Sequence, residues 1–139
     1  MTELPRVKPF LQIAALCERV EQGEGGDYTL HHIFDTTALR VPRTLPDPLP
    51  PLTYAFTLAT CWTGGVGHFQ ERVQMYDPDS ALLWEGKEAA FWLSSKSARH
   101  SNFRRITATI NDAGRYAIRI LLSGQLEAEL IWTVDIQRV

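Results

Sequence analysis

The sequence predicts an all-β fold, an antiparallel two-sheet sandwich of about eight or nine strands with helix absent or confined to one short turn. Three observations carry this. A long stretch near the C-terminus alternates apolar and polar residues; an Asp-x-Gly-x-Tyr step (Asp112, Gly114, Tyr116) leads into it; and turn-forming residues recur at short intervals elsewhere.

The first predicted pair is a hairpin, Leu11 to Val20 and Tyr28 to Leu39, joined through Gly23-Glu24-Gly25-Gly26-Asp27. The segment Val41 to Pro51 contains Pro42, Pro46, Pro48, Pro50 and Pro51, which lack amide donors, so it reads as a crossover between sheets. Leu52, Tyr54, Phe56, Leu58 and Trp62 then alternate with small or polar residues as a strand. Thr63 to Gly67 turns the chain, His68 to Tyr76 returns it, and Asp77-Pro78-Asp79-Ser80 turns it again. Leu82 to Trp84 and Ala89 to Leu93 are short strands around Glu85-Gly86-Lys87, Ser94 to Asn102 reads as a polar loop, and Phe103 to Ile110 leads into the Asp-x-Gly-x-Tyr corner.

In that corner Gly114 takes a backbone conformation with positive φ, and the Tyr116 hydroxyl, too polar to bury unpaired, bonds to nearby backbone. Beyond it Tyr116, Ile118, Ile120 and Leu122 form one apolar row. After Ser123-Gly124 the row continues as Leu126, Ala128, Leu130, Trp132, Val134 and Ile136. Alternate residues face opposite sides of a strand, so this row lines a core and the intervening one meets water, with Leu121 and Ile131 its apolar exceptions.

A chain of 139 residues, 45% hydrophobic, fits a single domain over 1-139 that needs neither disulfide nor metal. The net charge of -2 gives no general attraction to nucleic acid or to an anionic membrane, and no run approaches the length of a membrane span. Glu3, Pro5 and the interrupted apolar run from Phe10 to Cys17 are unlike a secretory signal. A cytoplasmic location with Cys17 and Cys61 reduced is the expectation.

Each residue group with chemical potential has a structural reading beside it. A hairpin centred near Gly25 sets Cys17 roughly opposite His32, with His31 on the other face, short of the three or four ligands zinc requires. Asp77, Asp79 and Asp112 are explained by turns, whereas calcium wants about six to eight oxygens. Gly64-Gly65-Val66-Gly67 lacks the Lys-Ser/Thr ending of a phosphate loop and reads as a hairpin loop. The basic run around Arg99, Phe103, Arg104 and Arg105 offers a stacking ring between cations, but in a mildly acidic chain it reads as a solvated strand edge. Trp92 is out of phase with Phe91 and Leu93, so either it or that pair faces away from the core.

No nucleophile, metal or cofactor set emerges, so the expectation is a non-catalytic protein-interaction or assembly module, without cofactor and binding neither nucleic acid nor membrane. Its candidate binding residues are Trp92, Arg99, Phe103, Arg104, Leu121 and Ile131, the last two as a self-association patch of neighbours on the polar face. The alternative is a small-ligand or carbohydrate-binding module using Trp92.

The corner motif resembles immunoglobulin-like sandwiches, with a C2-like arrangement as the alternative, although Ile118 stands where an immunoglobulin cysteine would be. Three blocks in order carry a closer resemblance. Ala15 to Val20 leads through the Gly-rich turn into Tyr28 to Asp35; Gly67-His68-Phe69 leads to Tyr76 through Asp79; and Gly114-Arg115-Tyr116 opens the final hairpin. Together they resemble a family of short bacterial β-sandwich proteins known only as a domain of unknown function. The resemblance implies a stand-alone sandwich and no catalytic residues; where the family commonly has Gly after Asp-Pro-Asp, this chain has Ser80.

Overall fold

A computed structural model describes residues 6–139; Glu3 and Pro5 lie outside them. Ten strands follow one another: β1 (Phe10–Gln22), β2 (Tyr28–Phe34), β3 (Thr36–Val41), β4 (Leu52–Thr63), β5 (Gly67–Tyr76), β6 (Leu82–Glu85), β7 (Ala89–Leu93), β8 (Arg99–Ile110), β9 (Gly114–Leu122) and β10 (Gln125–Arg138). Among the described residues the only helix is the 3-10 turn Glu24–Gly26 at the tip of the first hairpin.

Two sheets pack face to face, as the alternation requires. One has the order β2-β1-β4-β8. The other runs β3-β10-β9-β5, and beyond β5 the short strands β6 and β7 divide its length between them. The even-numbered row of β9 and β10 enters the core with Phe56, Leu58 and Trp62 of β4 and Val73 and Met75 of β5. Trp132 is completely buried among the rings of Phe34, Tyr54, Phe56 and Tyr116, and its indole Nε1 donates to Thr37 Oγ1 at 2.9 Å.

The corner forms as the sequence requires. Tyr116 is buried, and its hydroxyl donates to the Asp112 carbonyl at 2.7 Å. Burial pushes the Tyr116 phenol above its usual range, an effect that outweighs the hydrogen bond to Asp112. Gly114 has φ 143°, and a Cβ there would stand 2.8 Å from Pro78 Cγ, so the corner has room for no side chain. Removing only the hydroxyl, Tyr116→Phe, is expected to cost about 1 kcal/mol, read as a lowered midpoint of urea unfolding.

Several details depart from the sequence expectation. Strand β3 pairs with β10 in parallel, Thr36 beside Thr133 through Val41 beside Arg138, so the sheet is not wholly antiparallel. The predicted strand Tyr28 to Leu39 breaks at Asp35 and serves both sheets, β2 in one and β3 in the other, which accounts for one added strand. The predicted loop Ser94 to Asn102 is shorter than expected, because Arg99 to Asn102 complete the pairing of β8 with Thr60 to Thr63 of β4. A register shift between Leu126 and Ala128 takes Leu126 out of the buried row into solvent. Ser80 adopts φ 67°, the conformation that makes glycine the usual choice at that point of the turn. Asp77 Oδ1 accepts from the amides of Asp79 and Ala81, so this acid is committed to the turn.

Candidate functional site

The site begins with a kink in the first hairpin. Strand β1 pairs with β4 only as far as Cys17 opposite Thr57. Cys17 stands across from Ile33, and not from His32 as the sequence reading had it. Glu18 and His32 drop out of the ladder, His32 takes φ 57°, and its Nδ1 approaches Glu18 Oε2 at 3.2 Å. His31 pairs instead with Glu21, at 2.6 Å between Nε2 and Oε2. The histidines thus contact different carboxylates along the hairpin, and neither is drawn to the Cys17 thiol. Burial pushes that thiol up despite the nearby charge of Arg105, and Cys17 and Cys61 are both unbonded.

Past the kink the hairpin folds back as an arm over the outer face of the four-stranded sheet. The ring of Tyr28 on β2 lies 4.5 Å, centroid to centroid, from that of Phe103 on β8. These are the two outermost strands of one sheet, with β1 and β4 between them. Three strand spacings of about 4.8 Å would hold them apart in a flat sheet. Arg105 ties down the arm's base, its Nη1 donating to the Glu18 carbonyl at 3.0 Å and to Thr57 Oγ1 at 3.3 Å. The arm explains why Thr57, Ala59 and Cys61, which face away from the core, are buried.

Between arm and sheet lies a cleft of about 750 Å³. Its apolar wall is formed by Ile13, Leu30, Ala59, Tyr28 and Phe103, and its polar rim by Asp27, Arg99 and Ser101. Two predicted site residues, Arg99 and Phe103, therefore meet in one place. What the residues alone did not disclose is the other wall, because Tyr28 and Leu30 arrive through the kink at His32, which leaves no pattern in composition or spacing. The outer face is apolar beyond the cleft as well. Phe10, Ile13 and Ile33 are each about half exposed or more, and their pairing with Thr63, Cys61 and Cys17 sets all three on this side of the sheet.

Arg104 is not available for ligands. It points between the sheets, where its Nε donates to Glu71 Oε1 at 2.7 Å, Nη2 to the Glu71 carbonyl at 2.7 Å and Nη1 to the Lys87 carbonyl at 2.6 Å. The carboxylate of Glu71, wholly buried, also accepts from Thr60 Oγ1 at 2.6 Å and Trp62 Nε1 at 2.7 Å. Burial pushes the Glu71 carboxyl up, but the bonds from Thr60, Trp62 and Arg104 and the charge of Arg104 outweigh it and hold the group below the ordinary carboxylate range. Oε2 accepts two bonds and Oε1 one, and all three donors belong to the opposite sheet, so the cluster is a clasp between the layers.

Leu121 and Ile131 are not neighbours: Leu121 lies beside Leu126, and Ile131 beside Ala117, four positions further along β9. Both are only partly exposed, so the predicted self-association patch does not form. Trp92 is 62% exposed on β7, while Phe91 and Leu93 enter the core, which resolves the phase question in favour of an outward indole. No helix among the described residues is long and apolar enough to cross a membrane.

No curated protein matches the chain. A sequence model described as a family of unknown function (DUF6941) matches residues 12–135, from β1 through β10, and thus takes in the arm, both sheets and the corner. The protein therefore belongs to this family of unknown function.

Proposed function

We propose that the protein is a non-catalytic recognition module that holds a partner protein on the outer face of its four-stranded sheet. The observation that carries this reading is that Ile13, Tyr28 and Phe103 line one cleft while Phe10 and Ile33 stand exposed on the same face beyond it, all five between 36% and 63% exposed. Apolar area concentrated in this way and rimmed by polar groups is how interaction surfaces differ from ordinary protein surface. The cleft accepts an apolar or aromatic side chain, and Arg99 at its rim supplies a bidentate donor to a carboxylate beside that side chain. The unbonded thiols of Cys17 and Cys61 favour a reducing, cytoplasmic setting. An immunoglobulin-like kinship is supported by the order β3-β10-β9-β5 together with the Tyr116 corner.

Selection of displayed linear peptides on the protein, followed by titration against the Ile13→Glu/Phe103→Ala variant, tests the reading. Enriched peptides are expected to share an apolar residue next to an acid and to bind the variant at least about tenfold more weakly. Failure to enrich any sequence, or equal binding to the variant, rejects it. A second reading, a small amphipathic ligand in the same cleft, is favoured by the cleft volume, which falls within the roughly 300–1,000 Å³ of small-molecule sites. A thermal-shift screen in which amphipathic carboxylic acids raise the midpoint of wild type but not of Arg99→Ala would select it over the first.

A further inference from the structure

The outer face of the other sheet carries an independent feature. Trp92 stands on β7 directly across from His68 on β5. Their rings are nearly parallel, 19° apart, with centroids 6.0 Å from each other. Rings in face contact are about 3.5–4 Å apart plane to plane, so this pair is laterally offset, and His68 steadies the indole while covering only part of it. The 62% exposure of Trp92 records the uncovered remainder. An indole left this open without an apolar surround is neither core nor the usual centre of a protein interface, where water-excluding apolar contacts encircle the aromatic anchor.

Trp92 is bordered by polar side chains over an apolar floor. The depression beside it, about 700 Å³, is walled by Arg6, His68, Gln70 and Ser123, with Phe69, Ala90 and Phe91 behind them. This wall is held in place before any ligand arrives. Arg6 lies over the Phe69 ring at 4.6 Å and donates from Nη2 to Ser123 Oγ at 2.9 Å. The Ser123 amide donates to the Gln70 carbonyl at 2.7 Å, which fixes β5 against the turn between β9 and β10. A second, smaller hollow of about 280 Å³ continues past Arg6 and Ser123 to Lys8 and Gln125. The two hollows share Arg6, Phe69 and Ser123; of the two cations among the described residues lining them, Lys8 is ion-paired with Glu127, while Arg6 faces both hollows.

We infer that this groove is a binding site for an acidic saccharide, a pyranose oligomer bearing carboxylates. A pyranose ring has one apolar face of C–H groups, which stacks on an indole, and a rim of hydroxyls, which the amide of Gln70 and the ring nitrogens of His68 meet in the plane beside it. Arg6 keeps guanidinium donors beyond the one held by Ser123, and these pair with a carboxylate on the sugar. Among the described residues no carboxylate lines either hollow, and with Lys8 engaged by Glu127 it is Arg6 that makes the groove complementary to an anionic chain and not to a cationic one. The groove lies on a different sheet from the cleft under the arm, so either site stands without the other.

Titration of the full-length protein with oligogalacturonate, read by tryptophan fluorescence and calorimetry beside neutral cello- and chito-oligosaccharides, tests the assignment. Oligogalacturonate is expected to perturb the fluorescence and to bind more weakly as salt is raised. It should lose about tenfold or more in affinity in Trp92→Ala and a smaller factor in Arg6→Gln. Trp92 is on the surface, so its loss leaves the fold intact, and an unchanged urea midpoint certifies the comparison. No binding of oligogalacturonate at millimolar concentration, binding that survives Trp92→Ala, or equal binding of the neutral oligomers would each overturn it.

Discussion

Replacing Arg104 with alanine is expected to cost about 3–5 kcal/mol of unfolding free energy, because it strands the buried Glu71 carboxylate without its cationic partner. Urea unfolding at neutral pH measures this as a fall in midpoint with little change in slope. The loss belongs to the broken pair and not to the pair itself, since desolvating two charges consumes most of their attraction. Glu71→Gln with Arg104→Met, which removes both charges together, is therefore expected to recover much of the deficit. A double variant as unstable as Arg104→Ala would show instead that the bonds from Arg104 to the Glu71 and Lys87 carbonyls carry the effect.

The same clasp gives the fold a definite response to acid. Glu71 titrates below the ordinary carboxylate range in the folded protein, so the unfolded chain binds its proton at higher pH than the native state does. The contribution is therefore complete above the ordinary carboxylate value and disappears as pH falls through the lower folded one. Stability of the wild type should decline across that window, and the Glu71→Gln variant, though weaker at neutral pH, should decline less steeply.

Trp132→Ala is the second large effect, at about 3–5 kcal/mol. The indole fills the space among four other aromatic rings, and its removal leaves a cavity that rings anchored on β2, β4 and β9 cannot close. It also frees Thr37 Oγ1, the indole's partner on β3. Thermal unfolding should show the lowered midpoint; retention of wild-type stability would mean that the core had collapsed onto the gap.

These two positions mark what the sequence discloses and what it does not. Trp132 is legible because it belongs to an alternation running the length of β9 and β10, and Tyr116 because the corner is local, spanning only Asp112 to Tyr116. Glu71 looks like one more polar residue in a strand that also carries Gln70, Arg72 and Gln74, and Arg104 like part of a basic run. Their meeting depends on how two sheets stack, which alternation within a strand does not encode. The cleft is an intermediate case: Arg99 and Phe103 are visible as a cation beside a ring, but their opposing wall comes from a backbone kink at His32, a residue type found at positive φ more often than most yet too seldom for its presence to mark a kink. The supposed neighbours Leu121 and Ile131 failed for the converse reason, since equal parity fixes a face but says nothing about position along it.

The parallel pairing of β3 with β10 binds a segment made early to a strand made much later. Until β10 has left the ribosome, Thr36 to Val41 lacks the strand it pairs with, and Trp132, around which four aromatic rings gather, is not yet in place. The nascent chain therefore carries an unpaired edge from β3 until β10 emerges, and a pairing this distant in sequence is of the kind that slows folding.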